Sequence, residues 1–239
     1  MKLYPEQLGN QLKTRLAPAY VFSGDEPLQL MEAADAVRQA ARAAGYTSRE
    51  TYYVDAGFDW NGFRADCASC SLFGEPRILD LRLSAKPDKA GGEALLHFSA
   101  QRPQETMLLA CLPRLTAVEQ KARWYQALDR IGVVMSVWPL EGDKLLRWLD
   151  QRLNSKGLLA DQSGLRLLAA RVEGNLLAAA QEIEKLHILH GAGHLTDEQI
   201  LKSVADSARY DVFDLAEQVL RGQAAKACRV LMGLRGEGI

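Results

Sequence analysis

Gly24-Asp25-Glu26-Pro27 follows a short apolar run and opens an Ala-rich stretch, which is where a phosphate-binding loop would lie. Such a loop needs glycines that turn backbone N–H groups toward the phosphates, then a Lys and a Ser or Thr for charge and Mg²⁺. The turn reads Gly24-Asp25-Glu26-Pro27-Leu28-Gln29-Leu30, with no Lys and no Ser or Thr at the working positions. Asp25 and Glu26 repel a triphosphate, and Pro27 removes one N–H donor. Asp80, inside an apolar run and followed by Leu81 and Arg82, makes a poor acidic pair for Mg²⁺. These residues argue against nucleotide hydrolysis.

Cys67-x-x-Cys70 has the spacing of half a zinc site or of a redox pair. No second ligand pair lies near it in sequence, and Cys111 and Cys228 stand apart. Buried structural thiols are the better reading. His187, His190 and His194 are spaced close to one helix face, but Gly191 and Gly193 break the helix between the second and third. Histidines near a helix C-terminus also suit its dipole, so no metal is expected. Arg114, Lys121 and Arg123, and then Lys144, Arg147, Arg152 and Lys156, form basic clusters. They read as solvated faces, with glancing contact to a phosphate backbone as the alternative. No Ser-His-Asp, Cys-His or paired-carboxylate arrangement rises above chance, so no catalytic residue is assigned.

The remaining candidate binds rather than reacts. Asp59 is a good N-cap for a short helix running to about Ser71. Its apolar face reads Trp60, Phe63, Cys67, Cys70, a 3-4-3 spacing that draws one stripe. Continued at roughly 100° per residue, the helix puts Leu72 about opposite that stripe and Phe73 well off it. Gly74 and Pro76 then break the helix. A Leu-Phe pair is thus left at a helix tip, aimed away from the core that its own helix fills. Two readings fit: packing under a neighbouring loop, or a hydrophobic plug for a partner protein.

The 239 residues are 48% hydrophobic and 25% charged, ordinary for a soluble globular chain and enough for one large domain or two smaller ones. The net charge of −1 supplies no global field toward nucleic acid. No signal core opens the chain, and its longest apolar runs fall far short of a membrane span. Four cysteines make no disulfide scaffold at this size. The composition points to a cytoplasmic protein with reduced thiols.

The first part of the chain alternates helix and strand. A helix is expected over Pro5–Leu16, then strands at Ala19–Phe22, Thr51–Val54, Arg77–Leu83, Thr106–Leu112 and Gly132–Val137. The intervening helices run from Pro27 to Ala44, from Asp59, around Glu93–Gln101 after a polar loop at Lys86–Gly92, and through Trp124 and Leu128. The last of these is opened by a capping box at Thr116–Glu119. Strict alternation predicts an α/β fold, a parallel five-stranded sheet flanked by helices on both faces. After Pro139 only helices are expected, over 141–155, 161–172, 175–190 and 197–206, and then Asp211–Leu220 and Ala224–Leu234. The expected domains are 1–140 (α/β), 141–210 (a small all-helical lid) and 211–239. The last holds two helices that cannot bury a core alone, and so reads as the start of a third, helical domain cut short.

An α/β domain with a ruined phosphate loop followed by a helical lid resembles a degenerate AAA+ module. Leu3-Tyr4-Pro5-Glu6-Gln7-Leu8, Gly24-Asp25-Glu26-Pro27-Leu28, Asp35-Ala36-Val37-Arg38-Gln39, Asp59-Trp60, Ser71-Leu72-Phe73 and Glu173-Gly174-Asn175-Leu176-Leu177-Ala178 together resemble the delta subunit family of the bacterial DNA polymerase III clamp loader. The strings occur in order from Leu3 to the end of the chain. The resemblance implies a subunit of the DNA polymerase III holoenzyme (a DNA-directed DNA polymerase, a nucleotidyltransferase) that acts in DNA replication without hydrolysing ATP and without a cofactor. It implies binding to the beta sliding clamp and opening of that ring, assembly with other loader subunits through a helical collar, and contact with primed DNA only within the assembled loader. By the same resemblance Leu72 and Phe73, with Ser71 beside them, are the clamp-binding plug, and Gly24, Asp25, Glu26 and Pro27 are a degenerate phosphate loop. Leu177 stands where an active lid would offer a nucleotide-sensing Arg. From the residues alone, the alternatives are a P-loop-like ATPase or nucleotide kinase with an unusual loop, and a stand-alone DNA-binding module.

Overall fold

The structure is a computed structural model that describes residues 1–68, 75–101, 103, 105–172, 174–203 and 212–236. The chain divides into two compact units, Met1–Trp138 and Pro139–Ile239.

The first unit is built on a parallel sheet. Its strands are β1 (Lys2–Leu3), β2 (Ala19–Gly24), β3 (Ser48–Val54), β4 (Arg77–Leu83), β5 (Thr106–Leu112) and β6 (Val133–Val137). They pair in the order β1-β6-β2-β5-β4-β3, and every pairing is parallel. The expected strands are all present, but the sheet has six strands rather than five. The extra one, β1, pairs Lys2 with Val134 and Leu3 with Met135, and two residues are too few to carry a readable alternation.

Helices cover both faces. Helices α1 (Pro5–Thr14) and α2 (Pro27–Ala43) close one core, in which Leu8, Ala34 and Val37 meet Tyr20, Phe22, Met107 and Leu109. Helices α3 (Trp60–Ala68), α4 (Lys89–Gln101) and α5 (Arg123–Ile131) close the other, in which Trp60, Phe63, Leu95, Phe98 and Leu128 meet Leu79, Leu81 and Leu108. Coverage on both faces explains why β2 and β5 are buried almost throughout and read as continuous apolar runs.

Two helix starts differ from expectation. Helix α4 begins at Lys89, not Glu93, because Asp88 accepts a 2.7 Å hydrogen bond from the Gly91 N–H and caps it. The glycines that look like a loop serve packing: a Cβ on Gly91 would stand 2.5 Å from the Trp60 ring. The Thr116–Glu119 box forms, with Thr116 N–H donating to Glu119 and Glu119 N–H to Thr116 Oγ1. It opens a 3₁₀ turn at Glu119–Lys121, however, and α5 follows only from Arg123.

The second unit contains α6 (Gly142–Ser155), α7 (Gln162–Val172), α8 (Leu176–His190), α9 (Asp197–Ser203), α10 (Val212–Leu220) and α11 (Ala224–Gly236). It is not all helical. Strands β7 (Leu158–Ala160) and β8 (Gly193–Leu195) form a two-stranded parallel sheet. Three-residue strands bracketed by Gly157, Gly191 and Gly193, all at positive φ, read as helix breaks rather than as strands.

Candidate functional site

The stretch singled out for partner binding rises from α3. Asp59 caps this helix as expected, accepting from the N–H groups of Asn61 and Gly62 at 3.0 Å. Trp60, Phe63 and Cys67 are buried on its inner face. Phe58, Trp60, Phe63 and the β3 residue Tyr52 form a chain of edge-to-face ring pairs with centroids 4.9–6.2 Å apart. Each such pair adds about 0.5–1.5 kcal/mol beyond its buried area, so the base of the helix is rigidly held. Ser71, Leu72 and Phe73 themselves, with Cys70, lie outside the described residues.

Between α3 and β4 a polar cluster joins three elements. Arg77, the first residue of β4, is buried. Its Nη2 donates to the backbone carbonyl of Asp66 in the last turn of α3, and its Nη1 pairs with Glu50 Oε1 of β3 at 3.2 Å. The Tyr52 hydroxyl donates to Glu50 Oε2 at 2.7 Å and faces Asp66 Oδ2 at 3.1 Å. Burial, and then the two carboxylates, push the Tyr52 hydroxyl well above its ordinary pKa. No spacing in the sequence brings these four residues together. The one signal is that Asp66 and Arg77 flank the Leu-Phe stretch.

Gly24-Asp25-Glu26-Pro27, the stretch expected to be a degenerate phosphate loop, runs from the C-terminal end of β2 into α2. Gly24 is a glycine for sheet packing: a Cβ there would sit 2.1 Å from the carbonyl oxygen of Val137 on β6. Asp25 is exposed, 3.7 Å from Arg114. Glu26 is 6% exposed and N-caps α2, its Oε1 accepting from the Leu28 N–H at 3.4 Å. Pro27 is the first residue of α2 and has no N–H to give. A helix N-terminus next to a glycine turn is an anion site, and here a carboxylate of the chain itself already sits on it. Asp80 is buried in β4 and held by Arg38 of α2.

Of the other candidates, several meet local partners, whereas the buried His187 Nδ1 meets none among the described residues. Cys67 is buried, and burial pushes its thiol up to about 12. His190 faces Ser203 Oγ and Gln199, whereas His194 Nε2 lies 3.3 Å from Asp161. Among the described residues no group of His, Cys, Asp or Glu is arranged to hold a metal. In the basic clusters, the Arg114 guanidinium lies 4.3 Å from the Trp138 ring centroid, Arg152 lies 5.3 Å from that of Trp148, and Lys156 pairs with Glu184. Asn175 caps α8 by accepting from the Ala178 N–H at 3.0 Å, and Leu177 is exposed beside it. Among the described residues no helix is long and apolar enough to cross a membrane.

Residues 20–137 match the family DNA polymerase III, delta subunit. The DNA polymerase III subunit delta of Escherichia coli (strain K12) is 34% identical over 239 residues, which is 100% of this chain and 70% of that protein. Among solved structures, the Bacillus subtilis DNA clamp loader delta protein aligns with a TM-score of 0.63 at 15% identity, over 98% of this chain and 72% of that one. The Thermotoga maritima RuvB Holliday junction branch migration motor aligns with a TM-score of 0.50 at 13% identity, over 83% and 67%. These structural likenesses show an AAA+-like fold and no more than the fold. Identity at this level across the whole chain, with the family match over the sheet-bearing unit, settles the relationship: the chain belongs to the DNA polymerase III delta subunit family of clamp-loader proteins.

Proposed function

We propose that this chain binds the ring-shaped beta sliding clamp and opens the ring for loading onto primed DNA, without hydrolysing ATP itself. The observation that carries the reading is the division of labour on α3. Trp60, Phe63 and Cys67 face the core, so the helical count leaves Leu72 and Phe73 off the buried stripe, where a Leu-Phe pair serves a partner. Burying two such side chains in an apolar pocket supplies about 3–6 kcal/mol, or roughly two to four decades of affinity. Tight binding near one interface of the ring shifts its closed–open equilibrium only by as much as the open form is bound better.

A silent nucleotide site is supported by Glu26 on the α2 N-terminus, by Pro27 and by the missing Lys. The same features weigh against a P-loop-like ATPase or nucleotide kinase. The net charge of −1 favours DNA contact only within the assembled loader over a stand-alone DNA-binding module. Residues 211–239 are read as the opening helices of the collar that joins the loader subunits. In support, α10 and α11 leave Phe213 82% and Leu220 88% exposed, apolar surface that suits further helices. The lid is residues 141–210, and the clamp-binding domain residues 1–140.

The test is binding to purified sliding clamp by the wild type and by Leu72→Ala/Phe73→Ala. The expected result is a loss of two or more decades with the fold intact. Equal binding by both would place the clamp site elsewhere, and equal affinity of the wild type for open and closed rings would remove the ring-opening role. ATP binding by the isolated chain would remove the silent-site reading.

A further inference from the structure

We infer that the groove between β1, the Glu119–Lys121 turn and α5 is where this chain touches the phosphate backbone of DNA, through Lys2, Lys121 and Arg130. This rests on the reading above that DNA is met within the assembled loader. Lys2 comes from the edge strand β1, Lys121 ends the 3₁₀ turn and Arg130 lies in the last turn of α5. All three are exposed and line one groove. Among the described residues none of them pairs with a carboxylate. The one carboxylate that lines the groove, Asp129, is taken, its Oδ1 lying 2.7 Å from the Met1 ammonium. Three cations thus face a groove in which nothing cancels their charge, on a chain whose net charge is −1. Gln126, exposed beside them, adds amide N–H donors.

Lys121 is close in sequence to Arg114 and Arg123, but folding separates the three. Arg114 lies against the Trp138 ring and 3.7 Å from Asp25. Arg123 lines a different groove with Arg64 and His97, where the Glu93 carboxylate opposes an anion. Lys121 instead joins Lys2 and Arg130, which lie far from it in the chain. Apart from Ala117 and the buried Tyr125, the lining of their groove is charged or amide. Such a surface has little for an apolar partner and suits a polyanion held by charge and N–H donors without regard to sequence. Lys121 and Arg130 flank α5, a helix of nine residues and so about 13 Å long. At about 3.4 Å per phosphate along one strand, that length spans roughly four phosphates of a duplex. Three phosphate contacts bind weakly alone. In an assembled loader they act at the effective concentration set by the other contacts, about millimolar for short linkages. The contact therefore counts inside the loader and does not make the chain a stand-alone DNA-binding module.

The test is fluorescence anisotropy of a labelled primed duplex titrated with the full chain, over a series of sodium chloride concentrations that begins at low salt. For three contacts log K should fall with log salt at a slope of about −3, near −0.9 for each cation. Lys121→Gln/Arg130→Gln should flatten the slope to about −1. Lys13→Gln/Arg42→Gln removes the same charge from exposed positions on α1 and α2 and should keep the wild-type slope. A wild-type slope in Lys121→Gln/Arg130→Gln would overturn the inference, and so would the absence of binding at the lowest salt. Equal flattening by Lys13→Gln/Arg42→Gln would overturn it too, by marking a diffuse field of the whole chain. Inorganic phosphate added at constant ionic strength should not displace the duplex; displacement would make the groove a site for the free anion instead. Binding to purified sliding clamp is measured on the same proteins and should be equal in all of them. If Lys121→Gln/Arg130→Gln loses the clamp and not the DNA, the groove serves a protein partner and the inference falls. If the wild type itself does not bind the clamp, the clamp reading fails, whereas the salt slopes decide the groove separately.

Discussion

Asp80 receives both arms of Arg38: Nε donates to Oδ2 at 3.0 Å and Nη2 to Oδ1 at 3.2 Å, inside a sheet where Asp80 has no solvent exposure. The pair fastens α2 to β4, and Asp35 on the same helix holds the remaining arm of the guanidinium at 2.7 Å. Asp80 is the acidic residue weighed above as a poor Mg²⁺ ligand, and its oxygens serve a structural ion pair. Asp80→Ala leaves the Arg38 guanidinium with only the exposed Asp35 as its partner and is expected to cost up to about 3–5 kcal/mol, whereas Arg38→Met/Asp80→Leu, which replaces both charges by apolar groups, lies much closer to the wild type. Urea unfolding of the three proteins checks this. A double variant no better than Asp80→Ala would mean that the pair does more than neutralise itself.

The N-terminus of α2 carries a second expectation. Glu26 caps the helix, accepting from the Leu28 N–H. Glu26→Ala removes the cap and is expected to destabilise the protein by about 0.5–2 kcal/mol. It also frees the anion site without supplying a Lys, so the variant should still fail to bind ATP at millimolar concentration. Calorimetric titration checks the second half. Nucleotide binding by Glu26→Ala would show that one carboxylate alone keeps the site silent.

Much of this frame was legible in the residues. Arg77–Leu83, Thr106–Leu112 and Gly132–Val137 read as strands because a parallel sheet covered on both faces demands near-continuous apolar runs. Lys2–Leu3, Leu158–Ala160 and Gly193–Leu195 were not legible, because strands of two or three residues exist through their pairing, and pairing leaves no local period. Gly91 misled because glycine lowers helix propensity, while its helix needs it to let Trp60 approach. The site divides the same way. Asp59 as the cap and Trp60, Phe63 and Cys67 as the buried stripe can be counted off the chain. Glu50, Tyr52, Asp66 and Arg77 come from three elements, and only folding makes them neighbours. Leu72 and Phe73, read from the helical count, lie outside the described residues.

Cysteine reactivity tests the packing at the base of α3. Burial pushes the Cys67 thiol up to about 12 and that of Cys111 up to about 11, while Cys228 is exposed. At pH 8 burial keeps Cys67 as the thiol, and the thiolate is the nucleophile. Iodoacetamide followed by peptide mass mapping should therefore find Cys228 modified before Cys111, and Cys67 only after denaturant is added. Modification of Cys67 in the folded protein at the rate of Cys228 would show that the α3 base opens readily.

Acid stability turns on Glu119. Its carboxylate accepts from Lys86 Nζ at 2.7 Å, from Thr116 N–H at 2.8 Å and from Thr116 Oγ1 at 2.9 Å. The Lys86 bond first, and then the two from Thr116, hold it at about 2, below the ordinary 4.5. On acidification the unfolded chain therefore takes up this proton before the folded chain does. The stabilisation is complete above about pH 4.5, falls as the pH drops from there toward about 2, and is absent below both values. Lys86 is largely exposed, so salt screens part of the effect. Glu119→Gln keeps an acceptor for Thr116 and cannot titrate, so its loss of stability between pH 7 and pH 3 should be smaller than that of the wild type. Urea midpoints at the two pH values, measured at low salt, check this. Equal losses in both proteins would assign the acid sensitivity to other carboxylates and leave the Thr116–Glu119 box as a local turn without a pH role.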